Sequence, residues 1–179
     1  MFKKIMEIIK LLFVRNPEKY IEKMGVNLGK NVKFIIYPYF WSYPKIGSEP
    51  YLISIGDDTL ISFDVTFITH DGSVNCFNKK EKYKNIVRFG KIKIGNNCFI
   101  GCKTIIMQNV TIGNDCIVGA GSIVTKNIPN GEVWAGVPAK FIGYTKDLGE
   151  KYLKQTPKYD NKNLQLNRKE EILKMVEGE

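Results

Sequence analysis

A single histidine, His70, stands in the segment VTFITHDGSV and is the one imidazole of the chain. Imidazole titrates near neutrality, so it suits the removal of a proton from an attacking hydroxyl or amine. Such a base works best when a carboxylate orients it from the other ring nitrogen. Asp71 and Asp64 are the first candidates for that role, with Asp57 and Asp58 behind them, and spacing does not choose among them. One histidine per chain rules out metal sites built from several imidazoles. The four cysteines include no C-x-x-C pair, so no metal is expected. Cys102 has no second histidine to activate it as a nucleophile. Cys98 and Cys116 lie 18 residues apart and read as small core filler.

The elements that must position these residues come from an internal repeat. From Ile94 the chain divides without a gap into IGNNCF, IGCKTI, IMQNVT, IGNDCI, VGAGSI and VTKNIP. Every first position is Ile or Val, and every fifth position is small or β-branched. Six residues make a short strand and a bend, with Gly and Asn supplying the bend. Three such sides form an 18-residue turn, and successive turns stack about 4.8 Å apart. The fold class expected is an all-β solenoid, whose repeats are stable only when stacked. Earlier hexads, LGKNVK from Leu28, IGDDTL from Ile55 and ISFDVT from Ile61, are out of phase by three, which points to insertions or irregular corners. The period also places Cys102, Ala120 and Pro138 one above another, a column of small residues that leaves a groove along one edge.

Length and charge set further bounds. The chain has 179 residues, 44% hydrophobic and 25% charged, as in a folded globular protein. Its net charge is +9, and residues 79–93 hold seven basic residues against one acidic. That run attracts an anionic partner. It is short and carries only Tyr83 and Phe89 as stacking residues, so nucleic acid is not expected. Residues 1–14 have helical spacing and no signal-type cleavage site, which predicts an amphipathic helix that packs on the body or a partner, with membrane contact as the minority reading. Asn16-Pro17 is expected to end or interrupt it. A cytoplasmic location is the expectation. The organisation predicted is a helical segment over 1–23, the solenoid over 24–145 with a loop insertion at 71–91, and a helical extension over 146–179. A helix over 167–176 is predicted, with Asn167 as cap and Glu170 completing a capping box.

The hexads, together with VGAGSIVTKNIPNGEVWAGVPAKFIG at 118–143, resemble the hexapeptide-repeat or left-handed β-helix acyltransferases, in particular the sugar and polysaccharide O-acetyltransferases. The resemblance runs from about Val26 to Gly143. Left-handed winding comes with it, since the general crossover rule favours the opposite hand. It implies acetyl-CoA as donor, a sugar or polysaccharide precursor as acceptor, a homotrimer with sites between subunits, and His70 as the catalytic base. The pantetheine arm is long, thin and rich in amides, which suits the small-residue groove. The resemblance brings Cys102, Gly119 and Ala120 to that arm, and Thr125, Lys126 and Lys140 to the nucleotide end, where ammonium groups meet phosphates.

The acceptor side is less constrained. Tyr37, Tyr39, Phe40, Trp41 and Tyr43 crowd into seven residues and read either as a sugar-stacking surface or as a cap and interface. N-acetylation of an amino sugar or of a nucleotide-linked amino sugar, and acetylation of an antibiotic, stand beside O-acetylation. A non-catalytic solenoid and a metal-dependent hydrolase complete the alternatives.

Overall fold

The computed structural model describes residues 16–36 and 43–178. The helix expected over 1–14 and the aromatic residues 37–42 lie outside the described residues. At Asn16-Pro17 the backbone of Asn16 is extended and the pair opens helix α1 (Pro17–Met24). The Asn16 side chain accepts the Lys19 N–H, and Pro17 sits in the first turn, where a missing N–H costs nothing. Ile21 is buried, and Glu18 Oε1 accepts the Phe34 N–H at 3.2 Å, which ties α1 to the first turn of the solenoid.

The solenoid follows as twelve short strands, four turns of three. They are β1 (Asn27–Leu28), β2 (Lys33–Phe34), β3 (Lys45–Ile46), β4 (Ile53–Ile55), β5 (Leu60–Ile61), β6 (Thr66–Phe67), β7 (Ile92–Ile94), β8 (Phe99–Ile100), β9 (Ile105–Ile106), β10 (Thr111–Ile112), β11 (Ile117–Val118) and β12 (Ile123–Val124). They build three parallel faces: A (β1-β4-β7-β10), B (β2-β5-β8-β11) and C (β3-β6-β9-β12). A hairpin of β13 (Glu132–Ala135) and antiparallel β14 (Lys140–Tyr144) extends face B past β11.

Register explains the phase slips. Ile94 pairs with Ile112, Ile100 with Val118 and Ile106 with Val124, each separated by three hexads, the regular turn. Ile61 pairs with Ile100, a step longer than the regular turn by the whole length of segment 71–91, which is looped out. Phe34 pairs with Ile61, a step longer than the regular turn by nine. Six of those nine lie between β2 and β3, and three between β3 and β4, where Pro50–Leu52 form a 3-10 turn.

The repeat positions do what their chemistry dictates. The first positions, Ile94, Ile100, Ile106, Ile112, Val118 and Val124, are all buried in one apolar column per face. The fifth positions are buried too, and their polar members donate to corner carbonyls. Thr59 bonds Gly95 O, Cys98 bonds Gly113 O at 3.0 Å, and Cys116 bonds Pro129 O at 2.9 Å. A thiol or hydroxyl there fills space and satisfies an acceptor that a corner would otherwise strand. At the A–B edge Asp57, Asn96, Asn114 and Asn130 each accept a backbone N–H from the turn before, a ladder of side-chain bonds. Asn31, Asp58, Asn97 and Asp115 take positive φ on the same edge, a conformation their side chains tolerate.

Residues from Lys146 onward form a second compact unit. It contains most of α2 (Thr145–Gln155), together with α3 (Asn161–Leu166) and α4 (Arg168–Glu177). Helix α4 covers the predicted span, but the capping box does not form: Asn167 makes no capping bond, and Glu170 accepts from Lys174 Nζ at 2.9 Å. The inner bond instead runs from Asp160 N–H and Asn163 Nδ2 to Glu171, which those donors hold below the usual carboxylate range. Among the described residues no helix is long and apolar enough to cross a membrane.

Candidate active site

His70 lies at the C–A edge, three residues past Phe67 of β6. There the chain leaves the coil for the inserted loop. The loop closes on itself at its root: Gly90 N–H donates to Thr69 O at 2.9 Å, and Asp71 N–H donates to Arg88 O at 3.0 Å. His70 bridges Phe89 there, their ring centroids 6.0 Å apart. The His70 side chain is 45% exposed.

One turn below, Ile46 pairs with Phe67, so Glu49 stands directly under His70. Glu49 Oε2 lies 2.9 Å from His70 Nδ1 and accepts the Thr69 hydroxyl at 2.6 Å. Its other oxygen accepts the Ser48 hydroxyl at 2.6 Å. These bonds, Ser48 first, then Thr69 and His70, hold the Glu49 carboxyl at about 2, against the mild opposing effect of burial. An ionised Glu49 fixes the ring with Nδ1 as the protonated nitrogen and leaves Nε2 as the acceptor. Among the described residues no group bonds Nε2.

The carboxylates expected to hold the ring are engaged elsewhere. Asp64 sits at the B–C edge, the far side of face C, and pairs with Lys45 Nζ at 2.7 Å. Asp71 is next to His70 in sequence, but its Oδ1 accepts Ser73 N–H at 2.9 Å and caps a 3-10 turn. Those Ser73 bonds, ahead of Arg88, pull its carboxyl below the usual range. Asp57 and Asp58 belong to the A–B edge. Glu49 was hidden because the extra residues around β3 broke the phase that would have stacked it on His70. Once Ile46 is set against Phe67, counting the same distance on from each brings Glu49 to His70.

The small residues expected to line a groove, Cys102 and Ala120, stand at the B–C edge, where Gly121 N–H bonds Cys102 O at 2.8 Å. Gly119 lies so close under Ala135 that a Cβ there would meet its Cβ at 2.8 Å. The N–H groups of Cys102 and Ala120 take no partner among the described residues. Pro138 does not complete the column. Face B shortens by two residues in its last turn, Ile117 pairing with Val133, so Gly136 stands over Ala120 and its carbonyl accepts from Ile123. Lys140 pairs with Ala135 and so belongs to this edge. Thr125 and Lys126 do not: they follow β12 and lie on the C–A edge, two turns above His70. Within one protomer, then, the imidazole and the groove occupy opposite edges of face C, roughly 15–20 Å apart at ~3.3 Å per residue. Of the aromatic cluster, Tyr43 is described and packs edge-on against Tyr20 at 6.0 Å. Burial, followed by the charges of Tyr20 and Glu18, raises its phenol.

Parallel three-faced coils carry, at one coil edge, an exposed histidine held by a carboxylate. The family described as bacterial transferase hexapeptide (six repeats) matches residues 91–126. Protein CapG of Staphylococcus aureus is 46% identical over 134 residues, 75% of this chain and 74% of its own length. A putative acetyltransferase of Bacillus subtilis, YvoF, is 33% identical over 60% of this chain and 56% of its own. The hexapeptide-repeat acetyltransferase VCA0836 of Vibrio cholerae superposes with a TM-score of 0.56 at 21% identity, over 76% of this chain and 85% of that one, a likeness of fold. Solved serine acetyltransferases align over only 38–40% of their own length. The chain belongs to the hexapeptide-repeat acyltransferases, and its coil is the left-handed parallel β-helix of that family.

Proposed function

We propose that the protein transfers an acetyl group from acetyl-CoA to a hydroxyl of a sugar or polysaccharide precursor, with His70 as general base. The observation that carries this reading is the Glu49–His70 contact at 2.9 Å beside an exposed ring. His70 Nε2 takes the proton of the acceptor hydroxyl. The oxygen attacks the acetyl carbonyl carbon, the C–S bond breaks, and the imidazolium returns the proton to the CoA thiolate. Glu49 supports the cation while it lasts. The N–H groups of Cys102 and Ala120, unpartnered among the described residues, suit the amides of a pantetheine arm and the developing oxyanion.

Because His70 and that groove sit on different edges, the reading needs two protomers: the ring of one faces the groove of the next. A homotrimer meets this requirement, since three identical prisms around an axis place unlike edges together. VCA0836 has also been solved as a complex with acetyl-CoA, which supports the choice of donor. The test is thiol release from acetyl-CoA against a panel of sugars and sugar derivatives, wild type beside His70→Ala. The variant should lose at least ~100-fold in turnover with CoA binding retained. Equal turnover would remove His70 from the mechanism.

A further inference from the structure

We infer that the acceptor carries negative charge, a phosphate, pyrophosphate or carboxylate on the carbohydrate, and that the loop rooted at His70 binds it. This rests on the acetyl-transfer reading above and narrows its substrate.

The charge is concentrated where the acceptor must enter. The loop over 71–91 holds Lys79, Lys80, Lys82, Lys84, Arg88 and Lys91 against Asp71 and Glu81. In contrast, residues 94–145 hold three basic and two acidic residues. Among the described residues the only ion pair within the run is Lys84 to Glu81, at 3.6 Å between exposed groups. Lys79 and Lys80 are exposed and make no ion pair among the described residues. Uncompensated charge of one sign on a small excursion raises the local concentration of anions.

The excursion is built to hold a shape. Two 3-10 turns, Gly72–Cys76 and Glu81–Tyr83, fold it, and Phe77 packs edge-on against Tyr83 at 6.2 Å. Lys80 lies between those rings in sequence; its N–H donates to Phe77 O at 3.0 Å and its carbonyl accepts from Tyr83 at 2.9 Å. Lys82 Nζ rides 5.4 Å from the Tyr83 ring centre. At the root, the Arg88 carbonyl is bonded to the residue after His70, and Phe89 stands against the imidazole.

Donor phosphates do not explain this charge. With the thioester at His70, the phosphates of CoA lie a whole pantetheine arm away, whereas Arg88 stands at the loop root, its carbonyl bonded to the residue next to the ring. Beside His70 the donor presents only its neutral thioester, so a charge at that root meets the acceptor.

The test is direct binding in the presence of saturating CoA, which keeps the donor site filled. The probes are UDP-N-acetylglucosamine, a glucuronate-containing hexasaccharide and neutral chitotriose, titrated by calorimetry at low and at physiological salt. At least one anionic probe should bind ~10-fold or more tighter than chitotriose. Its affinity should fall ~10-fold when salt is raised. The double variant Lys79→Glu/Lys80→Glu should weaken that binding ~10-fold or more, with CoA affinity unchanged. A phosphate-linked acceptor is told from an acidic glycan by which probe binds. The proposal is overturned if neither anionic probe binds below about 10 mM, if chitotriose binds as well, or if charge reversal weakens CoA instead. Loss of CoA binding by the wild type would refute the acetyl-transfer reading separately, because carbohydrate binding is read without turnover.

Discussion

Glu49 is the group whose removal tests the site most sharply. Glu49→Gln keeps the shape: the amide oxygen can still accept from Thr69 and from the His70 Nδ1–H, and the amide nitrogen can meet the Ser48 hydroxyl. Only the charge is lost. Glu49→Ala removes both the charge and the anchor, and the 45% exposed ring is then free to turn. A charge that supports a transient imidazolium acts on kcat, so Glu49→Gln should lower kcat ~10-fold. Glu49→Ala should approach the ~100-fold loss of His70→Ala. KM for acetyl-CoA should stay within ~2-fold in both, because Glu49 bonds only Ser48, Thr69 and His70 and acts through the ring rather than on the donor. The pH behaviour follows from sign. The Glu49 carboxyl is depressed to about 2, chiefly by the Ser48 and Thr69 hydroxyls. Its contribution is therefore complete above the unfolded value near 4.5 and disappears only as pH falls through about 2. Any acid limb of activity between about pH 5 and 8 belongs to another group and should survive in Glu49→Gln. Steady-state thiol release across pH, with circular dichroism to confirm folding, reads all of this. Wild-type kcat in both Glu49 variants, or a raised KM for acetyl-CoA at unchanged kcat, would refute the positioning role.

Asp71→Asn and Asp64→Asn should each hold kcat within ~3-fold, since their oxygens serve Ser73 and Lys45; a loss near that of His70→Ala in either would return the orienting role to it. Ile100→Ala empties a wholly buried first position and should cost about 2–5 kcal/mol, measured by denaturant unfolding. Gly95→Ala would push a Cβ to 2.7 Å from the Gly113 carbonyl carbon of the next turn, and backbone cannot yield as a side chain does, so a loss of about 1–3 kcal/mol is expected in the same assay. Cys98→Ser keeps the donor to Gly113 O and should unfold later than Cys98→Ala, which strands that carbonyl and leaves a void.

The hexads from Ile94 to Pro129 were fully legible because a period of six, tied to a strand and a bend, states which residues point inward without any long-range contact. The buried Ile and Val column and the stacked Cys98 and Cys116 follow from that period alone. The 71–91 insertion was legible as a break in the same rhythm, and its length is what the pairing of Ile61 with Ile100 needs. Elsewhere the period failed for identifiable reasons. Pro138 drops out of its column because the last turn of face B is shorter by two residues.

The lone imidazole and the family's coil are written in the one-dimensional pattern, since one histidine and a fixed repeat need no partner to be recognised. Which carboxylate holds that imidazole is not, because Glu49 reaches His70 only through the offset of an irregular turn. Nor is the placement of His70 and of Cys102 with Ala120 at opposite edges of one face. A residue's edge is set by the running sum of insertions along the chain, and each unpaired loop alters that sum by an amount only hydrogen-bonded register reveals.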